Sequence, residues 1–156
     1  MKIIFALDPF SPSEEATEGL SKRGWAPGSV LRVLSVVKQI PPSAAELWFD
    51  AGGDIGTVRA LRKTRAQESA EGASEVLRAS GLKVELVVLE GSPKKIIIKE
   101  AWGWGADLII MAPRCSRVVG WLNRSIVATV LNHAPCSVEV LRSKTAAAAL
   151  VLAGGG

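Results

Sequence analysis

The sequence is poor in the residues that most catalytic and exported proteins depend on. Its 156 residues include two cysteines, one histidine and no tyrosine. Cys115 and Cys136 have neither metal-ligand spacing nor the even, dense pattern of a disulfide framework. The N-terminus, MKIIFALDPF, has no long apolar stretch and meets Asp8 early, so no signal peptide is expected. Reduced thiols and a cytoplasmic location follow as expectations. A single histidine, His133, gives no His/Cys/Asp cluster with metal spacing. P-loop, G-x-G-x-x-G and G-x-S-x-G patterns are absent. No apolar run reaches the roughly 18–20 residues of a membrane helix, and the longest candidate, Ala146 to Ala153, is far too short.

The charge balance excludes less than it first suggests. The chain is basic, with a net charge of +4 and a pI near 9.3. Basic residues gather at Arg59–Arg65, at Lys94, Lys95 and Lys99, and at Arg114, Arg117 and Arg124. Acidic residues interleave with most of them, and stacking aromatics are few. A nucleic-acid surface needs one basic face with aromatics in it, so ordinary solvated surface is the better reading. Apolar residues make up 48% and charged residues 22%, the proportions of a single globular domain with a real core.

What is present is a regular alternation of apolar strands and helical segments. Lys2 to Leu7 (KIIFAL) reads as a strand buried on both faces. Ser11, Pro12 and Glu14 carry a helix start, with Ser11 as N-cap in a capping box, and Gly24 ends that helix. Val30 to Val37 is a second, β-branched strand. Residues 38–57 hold two prolines and three glycines around Trp48 and Phe49, which predicts a long loop with one helical turn at most. Val58 to Ser80 predicts a long helix closed by Gly81, and Lys83 to Leu89 a third strand. Ser92 and Pro93 open another helix, with Ile96, Ile97, Ala101 and Trp102 as its buried face and Gly103 and Gly105 at its end. Trp102 and Trp104 are expected to pack that helix end on the sheet. Asp107 to Met111 is a fourth strand, Ser125 to Asn132 a helix stopped at Pro135, and Ser137 to Arg142 a fifth strand. Such alternation implies parallel pairing with right-handed crossovers: an α/β protein, a Rossmann-like three-layer α/β/α sandwich on a five-stranded parallel sheet. Residues 1–142 form the domain, and the Ala/Gly-rich segment 143–156 reads as a flexible tail.

Several pieces of this pattern resemble the universal stress protein family. They are FALD at the end of the first strand, EGSP after the third, GADLIIM before the fourth connection, and NHAPCSVEVLR at the end. The resemblance implies strand order 3-2-1-4-5. Strands one and four would then be neighbours whose connections leave in opposite directions, and ligands of open α/β sheets sit at such a switch point. It implies a non-catalytic stress-response regulator, with ATP or another adenine nucleotide as the possible ligand. The candidate positions carried over are Asp8, Val36, Met111, Ala112, Arg114, Cys115, Arg124, Ser125 and Ile126. Asp8 would meet the nucleoside, Val36 the adenine and Met111 the ribose. Each has a plain structural alternative: a turn at the strand end for Asp8, core for Val36 and Met111, a helix cap for Ser125.

The phosphate loop departs from the family's spacing of Gly, two residues, Gly, nine residues, Gly, then Ser or Thr. Ala112 takes the first glycine position and Cys115 the second. Counted forward, the third falls on Ser125; counted back from HAPC, it falls on Arg124. Every glycine of that motif is missing, and Pro113 removes an N–H. Arg114, Arg117 and Arg124 put positive charge in the same loop, which leaves arginine-based phosphate binding as the alternative. The two readings are therefore a degenerate nucleotide loop and an ATP/AMP-binding switch that uses arginines in place of glycines. A hydrolase built on His133 with Cys136 or Ser125 is the third, and there the turn enforced by Pro135 is the preferred explanation.

The resemblance also implies a homodimer through the last strand, with Ser137, Val138, Glu139, Val140 and Leu141 at the interface. An exposed strand edge invites such pairing.

Overall fold

A computed structural model describes residues 1–10, 14–113 and 123–142 of the chain. Its elements run β1 (Lys2–Leu7), α1 (Glu14–Ser21), β2 (Val30–Lys38), α2 (Pro42–Asp50), α3 (Ile55–Ala79), β3 (Lys83–Gly91), α4 (Pro93–Trp104), β4 (Leu108–Met111), α5 (Arg124–His133) and β5 (Ser137–Val140). The sheet is five-stranded, in the order β3-β2-β1-β4-β5, and all four neighbouring pairs are parallel.

β1 is the middle strand because its residues suit no other place. Ile3, Ile4 and Phe5 are fully buried, and burial of each such side chain contributes about 1.5–3 kcal/mol. Ile3, Phe5 and Leu7 face one layer with Leu20 of α1 and Ala70 and Leu77 of α3. Ile4 and Ala6 face the other, with Ile97 and Ala101 of α4 and Val130 of α5. Small residues on α3 (Ala66, Ala70, Ala73, Ser74) let that long helix lie close to β2 and β3. The start of β4 is pinned to β1 by Asp107, whose amide donates to the Lys2 carbonyl at 2.8 Å and whose carboxylate accepts the Lys2 amide at 2.7 Å.

Several expectations are corrected. Residues 38–57 contain a nine-residue helix, α2, rather than a loop with a single turn. Its two prolines stand at the start, where a missing N–H costs nothing, and the glycines follow its end. The long helix begins at Ile55, not Val58, because the Asp54 carboxylate caps it by accepting the Gly56 amide at 3.0 Å. The fifth strand ends at Val140. Ser92 stands at the N-cap position of α4 but makes no side-chain cap. Trp102 is 66% exposed and belongs to no buried face, whereas Trp104 packs against the core cluster as expected. Ser11 and Pro12 lie outside the described residues, as do Cys115, Trp121 and the 143–156 segment.

One polar cluster braces the edge formed by β2, β3 and α4. Arg32 pairs across the strands with Glu85 at 2.8 Å, reaches Glu100 of α4 at 3.1 Å, and lies 4.0 Å from the Trp104 ring centre. Arg32→Ala would leave Glu85 and Glu100 without the cation they share and remove the stacking contact. We expect a stability loss of about 2 kcal/mol in urea unfolding; a loss below about 0.5 kcal/mol, the level of an isolated surface pair, would strip Arg32 of this role. Gly91 ends β3 at φ 149°, and a Cβ there would stand 2.9 Å from Ile96 Cδ1. Gly91→Ala should cost about 1–2 kcal/mol, read as a lower thermal midpoint. An unchanged midpoint would show that this turn can relax.

Candidate functional site

The site is set by the way the chain leaves β1 and β4. After β1 it turns through Pro9 and Phe10 toward α1, on one layer. After β4 it proceeds to α5, on the other layer. The two strands pair directly, with Ala6 beside Met111. Their C-terminal ends therefore flank a crevice at the topological switch point, where ligands of open α/β sheets bind.

The structure brings most of the described candidates to this region. Asp8 is 4% exposed, and its carboxylate accepts the Phe10 amide at 3.0 Å. That bond closes the Asp8–Phe10 turn and holds the carboxylate at the strand end. Val36 and Met111 are fully buried and meet the partly buried Ile126 in one apolar cluster. Ala112, buried, turns to the opposite layer. No described non-glycine residue has a positive φ, so Ala112 sits in backbone that alanine adopts without strain. Arg124 and Ser125 stand exposed at the start of α5. Arg114 and Cys115 lie outside the described residues.

The N-terminus of α5 differs from the sequence expectation. Its cap is Asn123, whose side-chain oxygen accepts the Ile126 amide at 3.1 Å. Ser125 is thus inside the first turn and not the cap. An N-terminal amide that a bound phosphate would use is already taken by a side chain. Sequence reasoning passed over Asn123, although Asn at that place, three residues before the first apolar pair, is itself a cap signal.

His133 and Cys136 mark the turn from α5 to β5. His133 Nδ1–H donates to the Thr129 carbonyl at 2.9 Å, a helix-end bond that satisfies one ring nitrogen. Burial, and secondly the Asp107 carboxylate, push the Cys136 thiol above its ordinary range. A nucleophilic cysteine needs the opposite shift. Among the described residues no group of three His, Cys, Asp or Glu side chains could hold a metal. A surface cleft of about 270 Å³ lies between α1 and the end of β5, lined by Ala16, Leu20, Arg23 and Leu141. It includes none of the crevice residues.

At the far edge of the sheet, β5 has β4 on one side only. Glu139 is engaged within the chain by Arg23, through two bonds of 2.8 and 2.9 Å. Val138, Glu139, Val140 and Leu141 are half-buried and Ser137 is exposed.

Fold and strand order together define a doubly wound α/β protein with its topological switch point between β1 and β4. Residues 1–142 match the model of the universal stress protein family, and the chain belongs to that family. A Thermus aquaticus protein, the universal stress protein in the QAH/OAS sulfhydrylase 3′ region, is 27% identical over 142 residues, covering 90% of this chain and 97% of its own. The solved structure of MJ0577 superposes with a TM-score of 0.71 at 20% identity, over 92% of this chain and 96% of that one. An Arabidopsis thaliana family member with AMP bound gives 0.62 at 17% identity, over 92% of each chain. Among the described residues no helix is long and apolar enough to cross a membrane.

The thiol's environment makes a measurable prediction. In a Cys115→Ser background, Cys136 should alkylate more slowly than a free thiol at neutral pH. Its rate should rise only above the ordinary thiol range. Because the folded-state value is raised, the associated stability is present at neutral pH and lost as pH rises through it. Free-thiol alkylation rates at neutral pH would contradict the burial.

Proposed function

We propose that the chain is a non-catalytic regulatory protein of its family, one whose crevice keeps the nucleoside end and has lost the backbone cradle for a triphosphate. The observation that carries this is the α5 N-terminus. Backbone amides bind phosphate when they are free to point at it, and here Asn123 holds the Ile126 amide while Ala112 replaces the first glycine. The floor of the crevice supports the other half. A buried carboxylate, Asp8, follows β1, whose neighbours β4 and β2 contribute the fully buried Met111 and Val36 beneath it; a carboxylate above an apolar floor suits a hydroxylated sugar and a flat base. The protein would act in the cytoplasm as a homodimer paired through β5, whose outer edge has no partner strand among the described residues.

A second reading is a nucleotide switch whose loop arginines replace the glycines. Arg124, exposed at the first residue of α5, favours it, as does the AMP found in the Arabidopsis relative. Calorimetry with ATP, ADP, AMP and adenosine separates the two. The degenerate-loop reading expects ATP to bind no better than AMP. Micromolar ATP affinity, well above that for AMP and reduced about tenfold by Arg114→Ala or Arg124→Ala, would replace it with the switch.

A further inference from the structure

We infer that Arg62 and Arg65 of α3, gathered around Phe10, form an anion grip at the mouth of the crevice and hold the phosphate of a ligand whose hydroxyl-bearing ring faces Asp8. The inference rests on the reading of the crevice as a nucleoside seat and adds the group that binds the charge. It assigns that role to residues outside the loop after β4.

The two arginines lie three positions apart, one turn along the same face of α3. Their guanidinium carbons stand 5.9 and 5.7 Å from the centre of the Phe10 ring. Phe10 is the residue whose amide binds Asp8, so the ring and both cations stand beside the C-terminal end of β1, on its β2 side. Arg62 also donates to the Lys38 carbonyl at the end of β2, at 3.5 Å, which places it at the C-terminal edge of the sheet. Phe10, half-buried, gives both guanidiniums a common surface to lie on.

What the cluster lacks is an ion pair. Among the described residues neither arginine forms an ion pair. Residues 11–13 and 114–122 contain no Asp or Glu that could supply one. Along α3 the next carboxylate, Glu68, is a turn away from Arg65 and unpaired with it. By contrast Arg23 and Arg32 both find carboxylates. Two like charges held on one ring repel each other, and an anion between them removes that cost. Arginine forks match phosphate oxygens in pairs.

The polarity of the whole site selects the ligand class. Asp8 repels an anion and accepts O–H donors; the arginines do the reverse. A ring with vicinal hydroxyls and a phosphate two atoms away satisfies both. Nucleoside monophosphates and sugar phosphates share that chemistry, and a test can separate them.

The experiment is calorimetry in low-salt buffer on the full chain and on an Arg62→Gln/Arg65→Gln variant, with AMP, adenosine and ribose 5-phosphate as ligands. Both substitutions lie at the helix surface, and circular dichroism checks that the fold is intact. AMP should bind at least about tenfold more tightly than adenosine. The double variant should bring that ratio close to one, with adenosine affinity unchanged. Added salt should narrow it in the same way. Ribose 5-phosphate binding with the same arginine dependence would support the grip and assign it to sugar phosphates generally, and absence of that binding beside AMP binding would support a grip for nucleotides. If AMP keeps its advantage in the double variant, the grip is wrong while the nucleoside seat survives. If ribose 5-phosphate binds through the arginines and adenosine and AMP do no better, the grip stands and the nucleoside seat falls. If none of the three binds, both are overturned.

Discussion

The structure depends on one constraint: β1 and β4 are too apolar to have an exposed face, yet they must lie side by side. Every residue from Ile3 to Leu7 and from Leu108 to Met111 is buried. Each strand must therefore be covered on both faces, and the right-handed crossover rule decides which connection covers which face. The order β3-β2-β1-β4-β5 follows from β1 sending its chain one way and β4 the other. A cleft between the two exits is unavoidable in this arrangement. It is a by-product of burying the central strands, and whatever lines it has been placed there by the needs of the core.

This explains why the crevice residues have double identities. The resemblance assigns Val36 to the adenine and Met111 to the ribose, and both are fully buried core. Asp8 could meet a ribose, and it also closes its own turn through the Phe10 amide. In such a site the core chemistry is fixed by folding and the ligand chemistry is set by the surrounding loops. Alanine directly after β4 is compatible with the fold: Ala112 occupies ordinary backbone and contributes to the core layer on its own side.

The fold was legible in the sequence because its strands are apolar runs bounded by helical segments. The five strands and four of the helices come directly from that alternation. The helix α2 was hidden for a physical reason. None of its residues is buried, so it has no core-facing period to read, and its prolines imitate a loop unless their place at a helix start is recognised. The start of α3 was obscured by Gly56, which weakens helix propensity just after the Asp54 cap. Trp102 misled because a tryptophan beside apolar residues suggests burial, while the helix phase turns it outward. The family motif carried Asp8, Met111 and Ala112 to the crevice.

Arg62 and Arg65 could not have been found by spacing alone. In the sequence they are part of a basic run, Arg59–Arg65, that reads as solvated surface. Their meaning comes from Phe10, distant in sequence, which the pairing of β1 with β2 and the packing of α3 over the sheet bring to them. A solvated cation can pair with an acid a helical turn away, as Lys22 does with Glu18. These two instead share an aromatic ring, at the one edge of the sheet where a carboxylate is buried. On the reading proposed above, the side chains of α3 supply the positive charge that a glycine-rich loop after β4 would otherwise supply through its amides.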